Sequence, residues 1–192
     1  MNNEIKLIVG LGNPGDEYKN TRHNVGFWFI DALLSKYNSS SRMDKKFSAE
    51  VARLEIVGKE VRLLKPQTFM NCSGQAVSSI ANFFKIAPDE ILVVHDELDI
   101  PVGTLKFKKG GGNGGHNGLK DIQNKIGSAD FWRLRLGISH PGDKNKVTSY
   151  VLKNPPDNEL KLIEHSIERV LDEINTIVIG DFSSAMSKLH GK

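Results

Sequence analysis

Short, continuously apolar segments alternate along this chain with amphipathic helical patterns, and that alternation constrains the fold more than any other feature. Ile5–Val9 and Ile91–Val94 are rich in β-branched residues and have the character of buried central strands. Between them, apolar residues recur at helical spacing, for example at Val25, Phe29 and Leu33. The pattern predicts a sheet that is covered by helices.

The other elements follow from the same periodicities, and no linker or internal repeat divides the 192 residues. The predicted elements are a hairpin of Phe47–Ile56 and Val61–Leu64, a helix around Val77–Phe84, strands at Thr104–Lys108 and Trp132–Ile138, a short helix at Leu119–Ile126, a long helix from Leu160 that ends near Gly180, and a last helix from Phe182. Asn38–Lys46 reads as a solvated loop. We therefore expect a single domain over residues 1–192, of the α/β class, with a mixed twisted β-sheet and helices on both faces.

Composition restricts the environment more than the function. The net charge of +3 permits a basic face for phosphates but does not require one. The single cysteine, Cys72, excludes an intrachain disulfide and favours a reducing compartment. No apolar stretch approaches the length of a membrane span, and the start of the chain lacks a signal-peptide core. We expect a cytoplasmic protein that does not bind membranes.

The loop after the first strand contains Gly10, Gly12 and Gly15 in the G-x-G-x-x-G spacing of dinucleotide-binding proteins. In such proteins the glycines lead directly into a helix whose N-terminus meets the pyrophosphate, and an acidic residue follows about 20 residues later at the end of the next strand. Here Pro14 and a polar stretch intervene, and Asp31 falls inside the following helix. The pattern therefore disfavours a dinucleotide site.

A histidine and a carboxylate follow the two most apolar strands. His23 lies in the loop after Ile5–Val9, and Asp96 lies directly after Ile91–Val94. If these strands are parallel neighbours, both side chains meet at one sheet edge, where ligands bind in open α/β sheets. An imidazole oriented by a carboxylate can take a proton from water. Equally, His23 could simply bond to the first turn of its own helix, for which Asn24 is a possible N-cap.

The segment "HDELD", His95 to Asp99, also allows a metal site, because its carboxylates suit magnesium or manganese. It does not have the H-E-x-x-H spacing of zinc enzymes. The alternative is a solvated turn in which Glu97 and Asp99 are structural.

Two further loops carry candidate ligand-binding residues. In "PQTFMNCSG", Asn71 or Ser73 could cap the following helix, or an amide there could hold a substrate carbonyl. Phe69 and Met70 would ordinarily belong to the core, but in an exposed loop they could contact an apolar group of a ligand. In the glycine-rich loop before Leu119, Asn117 could likewise cap a helix or reach a ligand.

Basic residues alternate on two predicted strands. Lys106 and Lys108 share one strand face, as do Arg133 and Arg135. A solvated polar face accounts for them, and so does a phosphate clamp. No serine or cysteine has the context of a catalytic nucleophile, so a histidine-activated water is the hydrolytic chemistry that fits best.

Several of these stretches together resemble the bacterial peptidyl-tRNA hydrolases. The similar segments are "GLGNPG", "YKNTRHNVGFWFID", "KPQTFMN", "HDELD", "GGHNGLKDI" and "HPGDKNKV", in this order from Gly10 to Val147. The resemblance implies a monomeric α/β enzyme that needs no metal or cofactor. It would hydrolyse the ester between a peptide and the 3′ end of tRNA, and so recycle tRNA from stalled or dropped peptidyl-tRNA.

The resemblance also implies roles for single residues. His23 takes the position of the general base, Asp96 the position that supports its basic form, and Asn13 the position associated with distinguishing blocked from free aminoacyl-tRNA. The implied substrate-binding positions are Tyr18, Phe69, Asn71 and Asn117, with Met70 in the same site, and the positions that grip the 5′-phosphate of the acceptor stem are Lys108 and Arg135.

Overall fold

Seven strands and seven helices follow one another in the computed structural model, which describes residues 3–191. The strands are β1 (Leu7–Gly10), β2 (Arg42–Asp44), β3 (Ala49–Ile56), β4 (Lys59–Pro66), β5 (Ile91–Glu97), β6 (Leu105–Lys109) and β7 (Trp132–Gly137). The helices are α1 (Val25–Lys36), α2 (Ser73–Phe84), α3 (Asn117–Ile126), α4 (Val147–Val151), α5 (Asp157–Asp172), α6 (Ile174–Val178) and α7 (Phe182–Leu189).

All seven strands belong to one mixed sheet, in the order β2-β3-β4-β1-β5-β7-β6. The central strand β1 is parallel to both β4 and β5, and β5 is parallel to β7. The pairs at the two edges of the sheet, β2 with β3 and β3 with β4 on one side and β6 with β7 on the other, are antiparallel. Because β1 and β5 pair from Leu7↔Ile91 to Gly10↔Val94, the loops that follow them leave the sheet side by side.

The sheet separates two hydrophobic cores. One core contains side chains of α1, α5, α6 and α7, and the other contains side chains of α2 and α3. The prediction of an α/β fold with helices on both faces of a mixed sheet is thereby confirmed. Within residues 3–191, no helix combines the length and the apolar character that crossing a membrane requires.

Glycines bring the end of β1 into direct contact with α1. A Cβ atom on Gly10 would lie 2.2 Å from the carbonyl oxygen of Gly26, and one on Gly26 would lie 2.4 Å from the amide nitrogen of Leu11. No side chain fits in either place. The glycines therefore serve close packing of strand against helix, which fixes the turn that carries His23 against the sheet edge.

Three elements differ from the sequence-based expectation. The loop at 38–46 contains β2, an edge strand whose exposed residues have no apolar alternation. The long C-terminal helix is interrupted at Glu173 and forms α5 and α6. The short helix α4 has no counterpart among the predicted elements.

The predicted helix caps are also wrong. The side chain of Asn24 makes no capping hydrogen bond to α1, and α2 has no side-chain cap, so neither Asn71 nor Ser73 caps it. The cap of α3 is His116, which precedes Asn117. These asparagines are consequently available for other contacts.

Candidate active site

A crevice of about 550 Å³ opens beyond the carboxyl ends of β1 and β5. It is the place where open α/β sheets bind ligands. The lining side chains include Asn13, His23, Phe69, Met70, Asn71, Asp96, Glu97, Asp99, His116, Asn117, His140, Lys144, Val147, Thr148, Val151 and Leu152. Seven of the ten residues to which the family resemblance assigns a role thus lie around one cavity.

Asp96 is the centre of the crevice and bridges two imidazoles. Its Oδ2 lies 2.8 Å from Nδ1 of His23, and its Oδ1 lies 2.8 Å from Nε2 of His116. The carboxylate is buried, whereas both histidines retain some contact with solvent. β1 and β5 are parallel neighbours, which is the condition under which this histidine and carboxylate were expected to meet.

The protonation of the two histidines follows from their other contacts. Nδ1 of His116 accepts hydrogen bonds from the backbone N–H groups of Gly118 and Leu119, at 3.1 and 3.4 Å. Its proton must therefore be on Nε2, which donates to Asp96. The other oxygen of Asp96 accepts from Nδ1 of His23, so Nε2 of His23 carries the lone pair. The arrangement leaves one basic imidazole nitrogen in the crevice.

The charges within this cluster shift the pKa values in opposite directions. Burial disfavours ionisation of Asp96, but the two adjacent imidazoles outweigh it and hold the pKa of the carboxyl well below its usual range. Burial likewise opposes protonation of His23, yet the charge and hydrogen bond of Asp96 prevail and raise the pKa of that imidazole. The carboxylate thus remains ionised and increases the basicity of His23.

Beneath the cluster, His95 is held neutral. Burial, followed by the neighbouring His116, lowers the pKa of His95 to about 3. Its Nδ1 lies 2.8 Å from the carbonyl oxygen of Asp96, and its ring packs edge-on against that of His116 at a centroid distance of 5.0 Å. His95 therefore supports the cluster as an uncharged side chain.

Asn13 is fixed by three hydrogen bonds. Its backbone N–H donates to Oδ1 of Asn24 and its carbonyl accepts from Nδ2 of Asn24, both at 2.9 Å. Its own Oδ1 accepts from the backbone N–H of Met70 at 2.7 Å. Because this oxygen is engaged, the group that Asn13 presents to the crevice is its Nδ2 donor. Asn24 thus positions Asn13 and does not cap a helix.

The other predicted ligand-binding residues surround this centre. Phe69 is 59% exposed, which is unusual for a large apolar side chain and leaves its ring open to a ligand. Tyr18 packs edge-to-face on Phe69 at a centroid distance of 6.3 Å and so forms the outer rim. Met70 is buried in the floor, and Asn71 and Asn117 are exposed at the sides.

The metal site considered for "HDELD" is not assembled by that segment. Only Asp96 of the segment joins a group of possible metal ligands, together with His23 and His116, whose ligand atoms lie within 4.8 Å of one another. However, Nε2 of His116 carries the proton that its tautomer requires, so it offers no lone pair to a cation. The cluster is better suited to moving a proton than to holding a metal.

The basic strand residues lie outside the crevice, on β6 and β7. Lys106 is directly opposite Arg135, and Lys108 is opposite Arg133. Arg133 is buried and donates to the carbonyl oxygens of Gly111, Gly112 and Ala129. Lys106 and Lys108 are exposed and Arg135 is half-buried. Lys106, Lys108 and Arg135 therefore concentrate positive charge at this edge of the sheet, which can attract an anion.

Sequence patterns pointed neither to His116 nor to the role of Asn24 in holding Asn13. His116 lies within "GGHNG", where only Asn117 was considered. A histidine immediately before a helix, after many glycines, would have been the available signal.

Comparisons with known proteins agree on one family. A family model described as peptidyl-tRNA hydrolase matches residues 7–192. A curated peptidyl-tRNA hydrolase of Neisseria meningitidis serogroup B is 57% identical over 192 residues, which is 100% of both chains. The peptidyl-tRNA hydrolase of Yersinia enterocolitica is 54% identical over 187 residues, which cover 97% of this chain and 95% of that protein.

The fold is equally close to solved structures. A crystal structure of peptidyl-tRNA hydrolase from Acinetobacter baumannii superposes with a TM-score of 0.94 at 48% identity, covering 97% of this chain and 95% of that chain. An Arg119Gln mutant of the Acinetobacter protein gives a TM-score of 0.96 at 47% identity and covers 100% of this chain and 97% of that chain.

Proposed function

This chain belongs to the peptidyl-tRNA hydrolase family and is an enzyme of that type, which hydrolyses peptidyl-tRNA, and we propose that His23 is the general base of the reaction. The observation that carries the proposal is the contact of 2.8 Å between Nδ1 of His23 and Asp96, which leaves Nε2 basic and facing the crevice. The reaction is ester hydrolysis at the 3′ end of tRNA, which releases the peptide and free tRNA.

In the proposed reaction, water and His23 account for the nucleophile and for every proton that moves. A water molecule donates a hydrogen bond to Nε2 of His23 and transfers its proton there as its oxygen attacks the ester carbonyl carbon. The imidazolium that forms is stabilised by the carboxylate of Asp96. When the tetrahedral intermediate collapses, the 3′ oxygen of the ribose leaves and takes the proton from His23. The products are a carboxylic acid and a free 3′ hydroxyl group.

Amide donors stabilise the charge that develops. The side chains of Asn71 and Asn117 lie at the sides of the crevice and can donate to the oxyanion, which is usually a large contribution to catalysis. Phe69 and Met70 offer apolar contact to the 3′ end or the peptide, and Tyr18 supports Phe69.

Asn13 accounts for the preference for blocked substrates. Its Oδ1 is occupied by the N–H of Met70, so only the Nδ2 donor remains for the substrate. A peptidyl group offers a carbonyl oxygen next to the ester, which accepts from this donor. A free aminoacyl group offers an ammonium in that region, and two donors facing each other are mismatched. We assign the discrimination to this contact.

The metal-free character of the reaction can be tested by chelation. We expect N-acetyl-aminoacyl-tRNA to be cleaved at an unchanged rate after dialysis against EDTA, because the base is activated by Asp96 alone. Magnesium that the tRNA itself needs is replaced by a polyamine, so that substrate folding is held constant. Loss of activity that Zn²⁺ or Mn²⁺ restores would overturn the proposal. Light scattering on the same sample tests the expected monomer of 21.3 kDa.

Lys108 and Arg135 are proposed to bind the 5′-phosphate of the acceptor stem. We expect Lys108→Ala and Arg135→Ala to raise KM with little change in kcat. Each removes a contact that stabilises the bound substrate and the transition state equally. Each lost phosphate contact should also reduce the salt dependence of binding by a slope of about one unit.

The control for this prediction is the phosphate itself. On a substrate without the 5′-phosphate, both variants should match the wild type in kcat/KM. Lys36→Ala, which removes an exposed lysine from the last turn of α1, should have no effect on either substrate. If the variants lose as much kcat/KM on the substrate without the 5′-phosphate as on the substrate with it, these cations make only general contacts with the tRNA backbone.

A further inference from the structure

One wall of the crevice depends on a helix that is too short to be stable alone. Val147, Thr148 and Val151 of α4, and Leu152 after it, line the crevice. The helix has five residues, whereas isolated helices shorter than roughly 12–15 residues are marginal in water. Its position must therefore be set by contacts with the rest of the protein.

Two kinds of contact hold α4. The hydroxyl of Tyr150 donates to the carbonyl oxygen of Ile138 and Val151 packs in the core, while Arg22 binds the helix from the turn that also carries His23. Nη1 of Arg22 donates to the carbonyl oxygens of Tyr150 and Lys153, at 3.0 and 3.5 Å. Its backbone N–H donates to the same carbonyl of Lys153 at 3.1 Å. Its guanidinium carbon lies 3.9 Å from the centre of the Tyr150 ring. The arginine thus holds the C-terminal end of α4 through both its backbone and its side chain.

The chemistry of this contact requires an arginine. The last carbonyl groups of a helix carry partial negative charge and lack partners within the helix, so a cation there is favourable. The planar guanidinium also stacks on Tyr150 and points its Nη2 toward Oε2 of Glu159, at 3.5 Å. Only 8% of the Arg22 side chain is exposed, so the contact is shielded from water. A lysine offers a point charge without the planar fork or the stacking.

We propose that Arg22 is a positioning residue that sets the width of the substrate crevice by holding α4 at a fixed distance from His23. Arg22 and His23 are neighbours in one turn, Arg22–Asn24, so the wall is positioned relative to the base itself. The inference rests on the proposed function in one respect, namely that the 3′ end of the substrate and its acyl group bind in this crevice.

The test compares KM with kcat. We expect Arg22→Met to raise KM about tenfold, the scale of one lost charge-assisted hydrogen bond. The kcat value and the acid limb of its pH profile should change little, because His23 keeps its bond to Asp96. Arg22→Lys should raise KM less than Arg22→Met, and it carries the test if the methionine variant does not fold. An unchanged KM in both variants would overturn the proposal.

A matched control separates positioning from mere stability. Arg169 donates from Nη2 to the carbonyl oxygen of Leu189 at the end of α7, at 2.8 Å. It makes the same kind of contact away from the crevice. Arg169→Met should therefore lower Tm while leaving KM unchanged. If Arg169→Met raises KM as much as Arg22→Met does, the effect is general destabilisation and the proposal fails.

A double-mutant cycle shows whether Arg22 acts through the wall. Leu152 lines the crevice and is 38% exposed, so Leu152→Ala removes wall surface with little cost to folding. We expect Arg22→Met to raise KM less in the Leu152→Ala background than in the wild type, because coupled residues are not additive. Fully additive effects would overturn the proposal. The cycle measures KM alone, so it stays valid even if the assignment of His23 as the base is wrong.

Discussion

His23→Ala should reduce kcat for peptidyl-tRNA cleavage by about 10²–10⁴-fold, the usual contribution of a positioned general base. Among the described residues that line the crevice, His23 is the one for which the structure leaves a basic nitrogen next to a buried carboxylate. The side chain is 13% exposed and Asp96 keeps its bond to His116 when it is removed, so the fold should persist with a modestly lower Tm and the affinity for tRNA should be close to that of the wild type. Single-turnover cleavage and tRNA binding measure the two quantities separately.

The control for this prediction is another histidine. His165 lies on α5 with 68% of its side chain exposed, and His165→Ala should leave kcat unchanged. If His23→Ala kept more than about a tenth of the wild-type kcat, the loss would be too small for a general base, and the assignment would be wrong.

The fold and the central pair were accessible from sequence because local patterns determine them. Apolar β-branched runs identify β1 and β5 as buried central strands, and strands buried on both faces are typical of parallel sheets, although an antiparallel hairpin lies between these two in the chain. Parallel neighbours bring the loops that follow them to one edge. Given that β1 and β5 pair in parallel, His23 after β1 and Asp96 near the carboxyl end of β5 were expected to meet at this edge.

The second partner of Asp96 was not accessible in the same way. His116 is 20 residues away from Asp96 along the chain, in a glycine-rich loop without periodicity. Its role depends on where α3 begins, and glycines leave that open. The cap expected at Asn24 failed for a related reason, because Asn24 bonds to the backbone of Asn13, which only the tertiary structure brings near. Likewise, α4 is too short for its pattern to identify it, and contacts such as those of Arg22 hold it.

The tautomer of His116 has a consequence for substitutions at Asp96. Asp96 accepts hydrogen bonds on both oxygens, one from Nε2 of His116 and one from Nδ1 of His23. An asparagine has only one accepting oxygen. Because the backbone N–H groups of Gly118 and Leu119 keep the proton of His116 on Nε2, that oxygen must face His116. The amide NH₂ group then faces His23 and donates to its Nδ1.

Asp96→Asn should consequently place the proton of His23 on the wrong nitrogen. With Nδ1 accepting, Nε2 carries the proton and cannot take one from water, so we expect a loss of kcat that approaches the roughly 10²–10⁴-fold loss of His23→Ala. Asp96→Ala should lose less, because it leaves both tautomers of His23 accessible. Its acid limb should move to lower pH, since the carboxylate that raises the pKa of His23 is gone. A larger loss for Asp96→Ala than for Asp96→Asn would contradict this account.

Replacing His116 by asparagine should restore part of the activity that Asp96→Asn loses. The substitution His116→Asn keeps a favoured N-cap residue for α3. It removes the imidazole whose N–H group donates to the amide oxygen of the asparagine substituted at position 96. The substituted amide at position 96 can then turn its oxygen toward His23, return the proton to Nδ1 and free Nε2. We expect the double variant to exceed Asp96→Asn in kcat by about tenfold, within the range of coupling in one hydrogen-bond network. His116→Asn alone should lower kcat only modestly, because Asp96 still holds His23. If the double variant is no more active than Asp96→Asn, the two histidines do not compete for one acceptor, and the tautomer assigned to His23 is wrong.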